Sequence, residues 1–407
     1  MKILWTSPYL AWPTAGGNKV RQFNMLRCLA EQGHRVTLLV QSKTPLEEDA
    51  RSMLEPLVER LVVLERRSRK HPLTLAAALL APYPVVVSVN GLSRSLRIVM
   101  AHLLAESWDV VHVEHSYGLQ PLLGVLQEKR QPFVLSEHNV ESSLTGLTNY
   151  HPRIPTALVR QLRRYDGWRY RNWERRALTA PARVIAVTPG DAERLAEISG
   201  RAVDVVANGV DASRLAQVCP DYGSRRVLFA GNYEYRPNAA AVESILEEIL
   251  PLIWRRIPAA RFAVCGQGMP REWPGRWSDP RVEWRGFVRD LADEQRKSAV
   301  LLAPLNAGGG SKLKVLESMA AGLGVVCTPE AISGLDVRDG REFREGRTPQ
   351  DLAARVVELF EDQQQLRHIG ESARAYVQQR HDWRPIARQM VDIFRELPRR
   401  SAIHEPI

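Results

Sequence analysis

The chain has no close pair of cysteines, no Asp-x-Asp motif and no long uninterrupted apolar run. Its cysteines, Cys28, Cys219, Cys265 and Cys327, are too scattered for a metal or redox motif and read as buried thiols of a reducing cytoplasm. Without Asp-x-Asp, a metal-chelated diphosphate is not indicated. The first loop holds Gly16-Gly17 but no third spaced glycine, so the dinucleotide fingerprint of an NAD-dependent oxidoreductase is not supplied. The uncharged stretch Pro72–Asn90 comes nearest to a membrane span. A span needs about 20 mainly apolar residues, and Pro82-Tyr83-Pro84 cuts this one in two. A short helix followed by an extended piece is expected there. Met1–Ser7 reads as a strand rather than a signal peptide.

What is present is an α/β pattern repeated twice. A length of 407 residues favours two or three domains. Strand candidates in the first half are Ile3–Thr6, Val36–Val40, Leu61–Leu64, Val110–Val113, Phe133–Ser136, Val184–Val187 and Val203–Val206. Helix patterns such as Lys19–Glu31, Leu92–Glu106 and Ala157–Leu178 separate them. A second set runs through Val227–Ala230, Phe262–Cys265, Val282–Trp284, Val300–Ala303 and Val325–Thr328. Its helices lie near Ala239–Trp254, Asp290–Lys297, Leu313–Ala321 and Pro349–Phe360. Such alternation predicts parallel sheets with helices on both faces. Two Rossmann-like domains are expected, 1–207 and 208–383, with a last helix near 384–400 that packs back on the first. The joint around Asn208-Gly209, Pro220 and Gly223 has linker composition.

In open α/β sheets ligands bind beyond the carboxyl ends of the strands. Polar or glycine residues follow strands in both halves: Gly16 and Gly17, His138 and Asn139, Asn208 and Gly209, Gly231 and Asn232, Gly266 to Gly268, and Gly308 to Ser311. A ligand in a cleft between two facing domains accounts for that distribution. The stretch Gly308–Gly322 is the most informative. Three glycines follow an apolar run and open into a helix, which makes an anion site of unpaired N–H groups and a dipole end. Gly309, Gly310 and Ser311 can point backbone N–H groups at a diphosphate. Glu317 lies six residues past Ser311, roughly 9 Å along the helix, about the reach from a diphosphate to ribose hydroxyls. The alternative for Glu317 is a solvated pair with Lys314. Of the histidines near strand ends, His138 follows a strand directly and His112 reads as structural. Glu114 and His115 are candidates for an acceptor pocket.

The net charge of +10 points to anionic partners. Much of it is local: seven arginines between Arg160 and Arg176 are interleaved with Tyr165, Trp168, Tyr170 and Trp173. A partly buried helix with solvated arginines is the first reading of this stretch. Peripheral docking on an anionic membrane comes second. No nucleic-acid motif accompanies the charge, so no nucleic-acid partner is expected.

These residues resemble the nucleotide-sugar glycosyltransferases of the GT-B fold, specifically the retaining glycosyltransferase family four. The likeness rests on Gly16-Gly17-Asn18-Lys19-Val20-Arg21, Val110-Val111-His112-Val113-Glu114-His115, Ser136-Glu137-His138-Asn139-Val140-Glu141, Asn208-Gly209-Val210-Asp211 and Gly308–Gly322, in that order. It implies two Rossmann-like domains with parallel sheets facing across a deep cleft, with domain closure in the cycle. It also implies a metal-independent, hexosyltransferase-like transfer with retention. No cofactor is implied beyond a nucleoside-diphosphate sugar as donor substrate.

The acceptor would be a saccharide or lipid-linked hydroxyl in cell-surface polysaccharide or glycolipid synthesis, in the cytoplasm at the inner membrane face. A histidine at the position of His138 contacts the donor sugar or diphosphate near the reacting carbon. Gly286-Phe287-Val288 resembles the loop whose backbone reads the base, with Val288 its donor contact, and uridine and guanosine both remain open. The resemblance breaks in two places. Asparagines, Asn232 and Asn238, stand where an arginine and a lysine are common, and Gly309 stands eight residues before Glu317 where a glutamate is frequent. Lys312, Lys314 or Arg236 would then supply the cation for the leaving diphosphate, with Lys312 favoured by its place on the first helical turn. The alternatives are a nucleotide-sugar 2-epimerase of the same fold and a catalytically idle sugar-binding homologue.

Overall fold

The computed structural model describes residues 1–14, 16–43, 45–68, 71–91, 93–144, 156–306 and 313–398. The apolar runs form two all-parallel sheets. In the first, β1 (Lys2–Ser7), β2 (Arg35–Ser42), β3 (Arg60–Glu65), β4 (Val110–Glu114), β5 (Phe133–Ser136), β6 (Arg183–Ala186) and β7 (Asp204–Val205) lie in the order β3-β2-β1-β4-β5-β6-β7. In the second, β8 (Arg226–Ala230), β9 (Arg261–Cys265), β10 (Val282–Gly286), β11 (Val300–Ala303), β12 (Gly324–Cys327) and β13 (Arg344–Glu345) lie in the order β10-β9-β8-β11-β12-β13. Helices cover both faces, so strands β4, β5, β8, β11 and β12 are buried at every position. The order reverses between β1 and β4, and again between β8 and β11. Those two points open the crevices where such sheets bind ligands.

Two compact units result. One comprises Met1–Thr14, Asn18–Val206 and the chain from Ala387; the other comprises the short piece Ala15–Gly17 and Ala207–Ile386. The chain's last helix, Trp383–Arg395, begins in the second unit and ends in the first. In the first, Phe394 meets the His112 ring edge-on at 5.5 Å, the Gln389 amide donates to the Val205 carbonyl, and Glu396 pairs with Arg183 at 2.8 Å.

Local chemistry explains several boundaries. Thr348 and Asp351 form a reciprocal capping box with Pro349 at the first helical position, which starts the helix Pro349–Glu361. The helix expected over Ala239–Trp254 is interrupted: a π turn, Ile245–Ile249, separates Arg236–Ser244 from Leu250–Arg256. Pro251 has no N–H to continue the ladder, and the wider turn absorbs that loss. The extended piece expected after Pro82-Tyr83-Pro84 is instead a second helix, Val85–Gly91. Its start is capped from far along the chain, because the Val85 N–H donates to the Asp166 carboxylate at 2.9 Å. No local signal carries that bond. Among the described residues no helix is long and apolar enough to cross a membrane.

Candidate functional site

In the first unit, β4 ends at Glu114 and the chain turns into the helix Ser116–Glu128 through His115, whose φ is 63°. Left-handed backbone at a non-glycine residue is strained by about 1–3 kcal/mol and persists only where neighbours hold it. Here the His115 N–H donates to the Ser136 carbonyl on β5, its Nε2 lies 2.8 Å from the Tyr9 hydroxyl, and its ring stacks on Tyr117 at 4.6 Å. Burial, reinforced by His138, pushes the His115 imidazole well below its usual range. His115 is therefore neutral at physiological pH.

His138 follows β5 and is 7% exposed. Its Nε2 lies 2.9 Å from Glu114 Oε2, while Glu114 Oε1 is 3.4 Å from His112 Nε2. Burial opposes charge on Glu114, yet the two histidines hold its carboxyl well below the usual carboxylate range. His112 is fully buried and stacks on Trp5 at 3.9 Å. Arg21 is buried too, and its guanidinium donates to the Val206 carbonyl at 2.9 Å. Burial pushes Arg21 down to about 10, so it keeps its positive charge.

Three further carboxyls lie beside these histidines. Glu137 Oε1 accepts the Ser116 N–H at 2.7 Å, which satisfies a helix start whose own cap side chain does not. Its Oε2 has no hydrogen-bond partner and lies 4.0 Å from His115 Nδ1. Burial, then Glu141, pushes Glu137 well up; burial, then Glu174, pushes Glu141 to about 7. Burial also raises Glu174, which accepts the Ser142 N–H at 3.3 Å. Donor atoms of Glu114, His115 and His138, and of His115, Glu137 and Glu141, lie within 4.8 Å of one another, so either trio is close enough to hold a cation.

In the second unit the crevice lies beyond β8. Gly231 directly follows this strand, and a Cβ on it would stand 3.1 Å from Lys314 Nζ. Gly266, after β9, has φ +139°, and a side chain there would run into the Gly231 carbonyl. Lys314 sits on the helix Leu313–Ala320. Its ammonium lies 4.3 Å over the Phe229 ring and donates to Asn238 Oδ1 at 2.5 Å. Asn238 in turn donates through Nδ2 to the Asn232 carbonyl, and Asn232 Oδ1 accepts the Glu234 N–H. The asparagines thus brace the loop and hold a lysine that arrives from another helix.

One turn further along that helix is Glu317. It is partly buried, burial raises it to about 7, and Arg214 and Lys314 draw it back down. Glu317 forms no ion pair among the described residues. Arg214 is engaged by Asp290 at 3.0 Å.

The structure therefore gathers Glu114, His115 and His138 in the first unit, and Asn232, Lys314 and Glu317 in the second. Arg236 turns its exposed guanidinium to Glu243 at 3.4 Å, at the start of its own helix. Gly16 precedes and Gly17 opens the helix Gly17–Glu31. Val288 is partly buried on the loop after β10, beside Phe287, which is 66% exposed. Gly309, Gly310, Ser311 and Lys312 lie outside the described residues. Sequence reasoning did not single out Glu137 or Glu174, because their environment is built from segments distant in the chain. Glu137 did have a signal, its place directly after β5.

Comparison with known proteins bears on the family and the fold. Residues 15–214 match the model of Glycosyltransferase Family 4, and residues 224–362 match that of Glycosyl transferases group 1. No curated protein sequence matches the chain. Among solved structures, Anabaena HepE in complex with UDP and glucose is 18% identical with a TM-score of 0.68, covering 98% of this chain and 100% of that one. Sucrose-phosphate synthase from Thermosynechococcus elongatus is 16% identical with a TM-score of 0.70, over 97% and 98% of the two chains. WaaG, a glycosyltransferase involved in lipopolysaccharide biosynthesis, is 15% identical with a TM-score of 0.67, over 97% and 100%. At such identities the likeness is one of fold. The paired parallel sheets and the two family matches lead to one conclusion: this chain is a GT-B glycosyltransferase, belonging to the group 1, family four glycosyltransferases.

Proposed function

We propose that the protein transfers a sugar from a nucleoside-diphosphate donor to a hydroxyl of a saccharide or lipid-linked acceptor, with retention at the anomeric carbon. The observation that carries this reading is the Lys314–Asn238 contact beside Gly231, with Glu317 one turn further along the helix and without an ion pair among the described residues. A cation held next to a glycine that leaves space suits a diphosphate, and a partly buried carboxyl without an ion pair suits two vicinal ribose hydroxyls. Lys314 stands beside Lys312 as a cation for the leaving diphosphate, since its ammonium is held at the end of β8. Arg236 pairs with Glu243 at 3.4 Å, which favours Lys314 over it for that role. Gly309, Gly310, Ser311 and Lys312 keep the diphosphate contacts that the resemblance implies, with Gly16 and Gly17 on the donor and Val288 at the base.

In the proposed reaction the bond from the anomeric carbon to the diphosphate oxygen breaks, and Lys314 meets the negative charge that develops there. The acceptor oxygen bonds to the anomeric carbon from the same face and gives its proton to the departing phosphate. No protein base is required. His138 contacts the donor sugar near the reacting carbon, and Glu114 fixes its imidazole through Nε2, as a positioning residue. His115 borders the acceptor. The acceptor lies in cell-surface polysaccharide or glycolipid synthesis at the inner membrane face. HepE and its bound UDP-glucose support a UDP-sugar as the first donor to try.

Thermal shift with UDP, GDP, ADP and dTDP sugars, followed by mass spectrometry of products and NMR of the new anomeric centre, tests this. Stabilisation by a nucleotide sugar and an unchanged anomeric configuration are expected, with turnover that survives EDTA. A product that keeps its nucleotide but inverts a ring carbon would mean a 2-epimerase. Binding without turnover would mean an idle homologue.

A further inference from the structure

The helix Pro72–Leu80 contains no charged residue, and its polar Thr74 is buried. It nevertheless leaves Leu73, Ala76 and Leu80 exposed at i, i+3 and i+7, so an apolar stripe faces outward. Leu73 is 58% and Leu80 85% exposed, which is unusual for leucines that line up on one face. The helix is not loosely attached. Arg169, buried and paired with Asp166, donates to the Ala78 and Ala81 carbonyls at 3.0 Å each, and Asp166 caps the following helix at Val85.

These bonds tie the C-terminal end of the apolar helix to the long helix Thr156–Thr179. At 3.6 residues per turn, exposed Arg160, Arg164, Arg171 and Arg175 fall within about 60° of arc. None of the four forms an ion pair among the described residues. Trp168 follows at about 80° and Tyr165 at about 140°, before Arg169 and the apolar helix at about 180°. Trp168 and Tyr165 are half exposed and stack on each other at 6.0 Å, and Arg169 lies over the Tyr165 ring. The only acidic residues of the long helix, Asp166 and Glu174, are turned inward. Around about half the circumference of the long helix, an arginine band therefore gives way to an aromatic pair and then to the attached apolar helix, in one continuous face.

We propose that this face is a docking surface for an anionic lipid bilayer. Charge complementarity argues for it, since four arginines with no acidic residue among them suit a negatively charged leaflet. The order of chemistry argues for it too: cations at the headgroups, Trp and Tyr at the interface, leucines in the acyl boundary. The surface rests on the inner-face location proposed above for the acceptor. Its test needs neither donor nor acceptor, so either proposal can fail alone.

The experiment is co-sedimentation of the full chain with phosphatidylcholine vesicles, with and without phosphatidylglycerol, over a salt series. Binding should require phosphatidylglycerol. It should fall about tenfold or more in the triple variant Arg164→Glu, Arg171→Glu, Arg175→Glu. The pair Leu80→Ser, Trp168→Ala should lose the part of binding that survives high salt. Tryptophan quenching by bromine-labelled acyl chains should shrink in Trp168→Phe, which preserves the fold. Equal binding to neutral and anionic vesicles, or wild-type binding by the triple variant, overturns the proposal. So does stronger competition by duplex DNA than by lipid, or a solution dimer that Leu80→Ser dissociates.

Discussion

Glu114 and Glu317 both stand near a point where strand order reverses, and their surroundings differ in kind. Glu114 ends β4 inside a set of partners supplied by the protein: two histidines reach its oxygens, and it stays ionised although buried. Glu317 lies on the helix after β11 with no ion pair among the described residues, and burial lifts it to about 7. A buried carboxylate is tolerated only where donors are aimed at it. The first unit thus carries a histidine whose Nε2 is held by a buried carboxylate. The second carries a raised carboxyl one turn from a lysine that donates to Asn238.

That contrast can be broken by substitution. His138→Ala should reduce turnover about 100-fold while donor affinity stays within a few-fold, measured by steady-state kinetics beside calorimetric titration. If affinity collapses instead, the first unit's histidine serves binding. Lys314→Met should reduce turnover about 30-fold and weaken diphosphate binding, with nucleoside affinity spared. Glu317→Ala should weaken nucleotide-sugar affinity about tenfold, as charge-assisted bonds to two hydroxyls disappear. Because those bonds need the carboxylate, wild-type affinity should fall as pH drops below about 7 and level off about tenfold lower. Glu317→Gln should show no such slope.

Smaller effects sharpen the same comparison. Glu114→Gln should lower turnover about tenfold and shift the acid limb of the pH–rate profile, with donor affinity unchanged. A merely structural Glu114 would leave that limb in place. Glu141 tests the acidic group beside the histidines. Its folded pKa of about 7 lies above the ordinary 4.5, so between these values the folded chain holds more protons than the unfolded one. Stability should therefore fall as pH rises through that window and level off above it. Glu141→Gln should be more stable than wild type at pH 8 by about 1 kcal/mol and equal to it near pH 4, read from denaturant midpoints.

Much of this was legible from residues alone, for a definite reason. Apolar runs such as Val300–Ala303 are buried on both faces, so their pattern depends on the strand itself. The twelve expected strands are present; β13, two residues long, was too short to show a period. Positions were legible where order along the chain decides them, as with His138 two residues past β5 or Glu317 on its helix. The helix Val85–Gly91 and the π turn were not, since one depends on a cap from Asp166 and the other on how Pro251 is accommodated.

The sequence by itself determined the two α/β repeats, the family and the residues at strand ends, because each follows from periodicity or from order along the chain. Only the tertiary structure decided that Lys314 reaches the end of β8, that Glu114 orients His138, and that Arg169 ties the helix Pro72–Leu80 to the long helix. These are contacts between residues 24 to 91 positions apart. Burial, which sets the charge of Glu137 and Glu317, likewise exists only once the sheets and helices have packed.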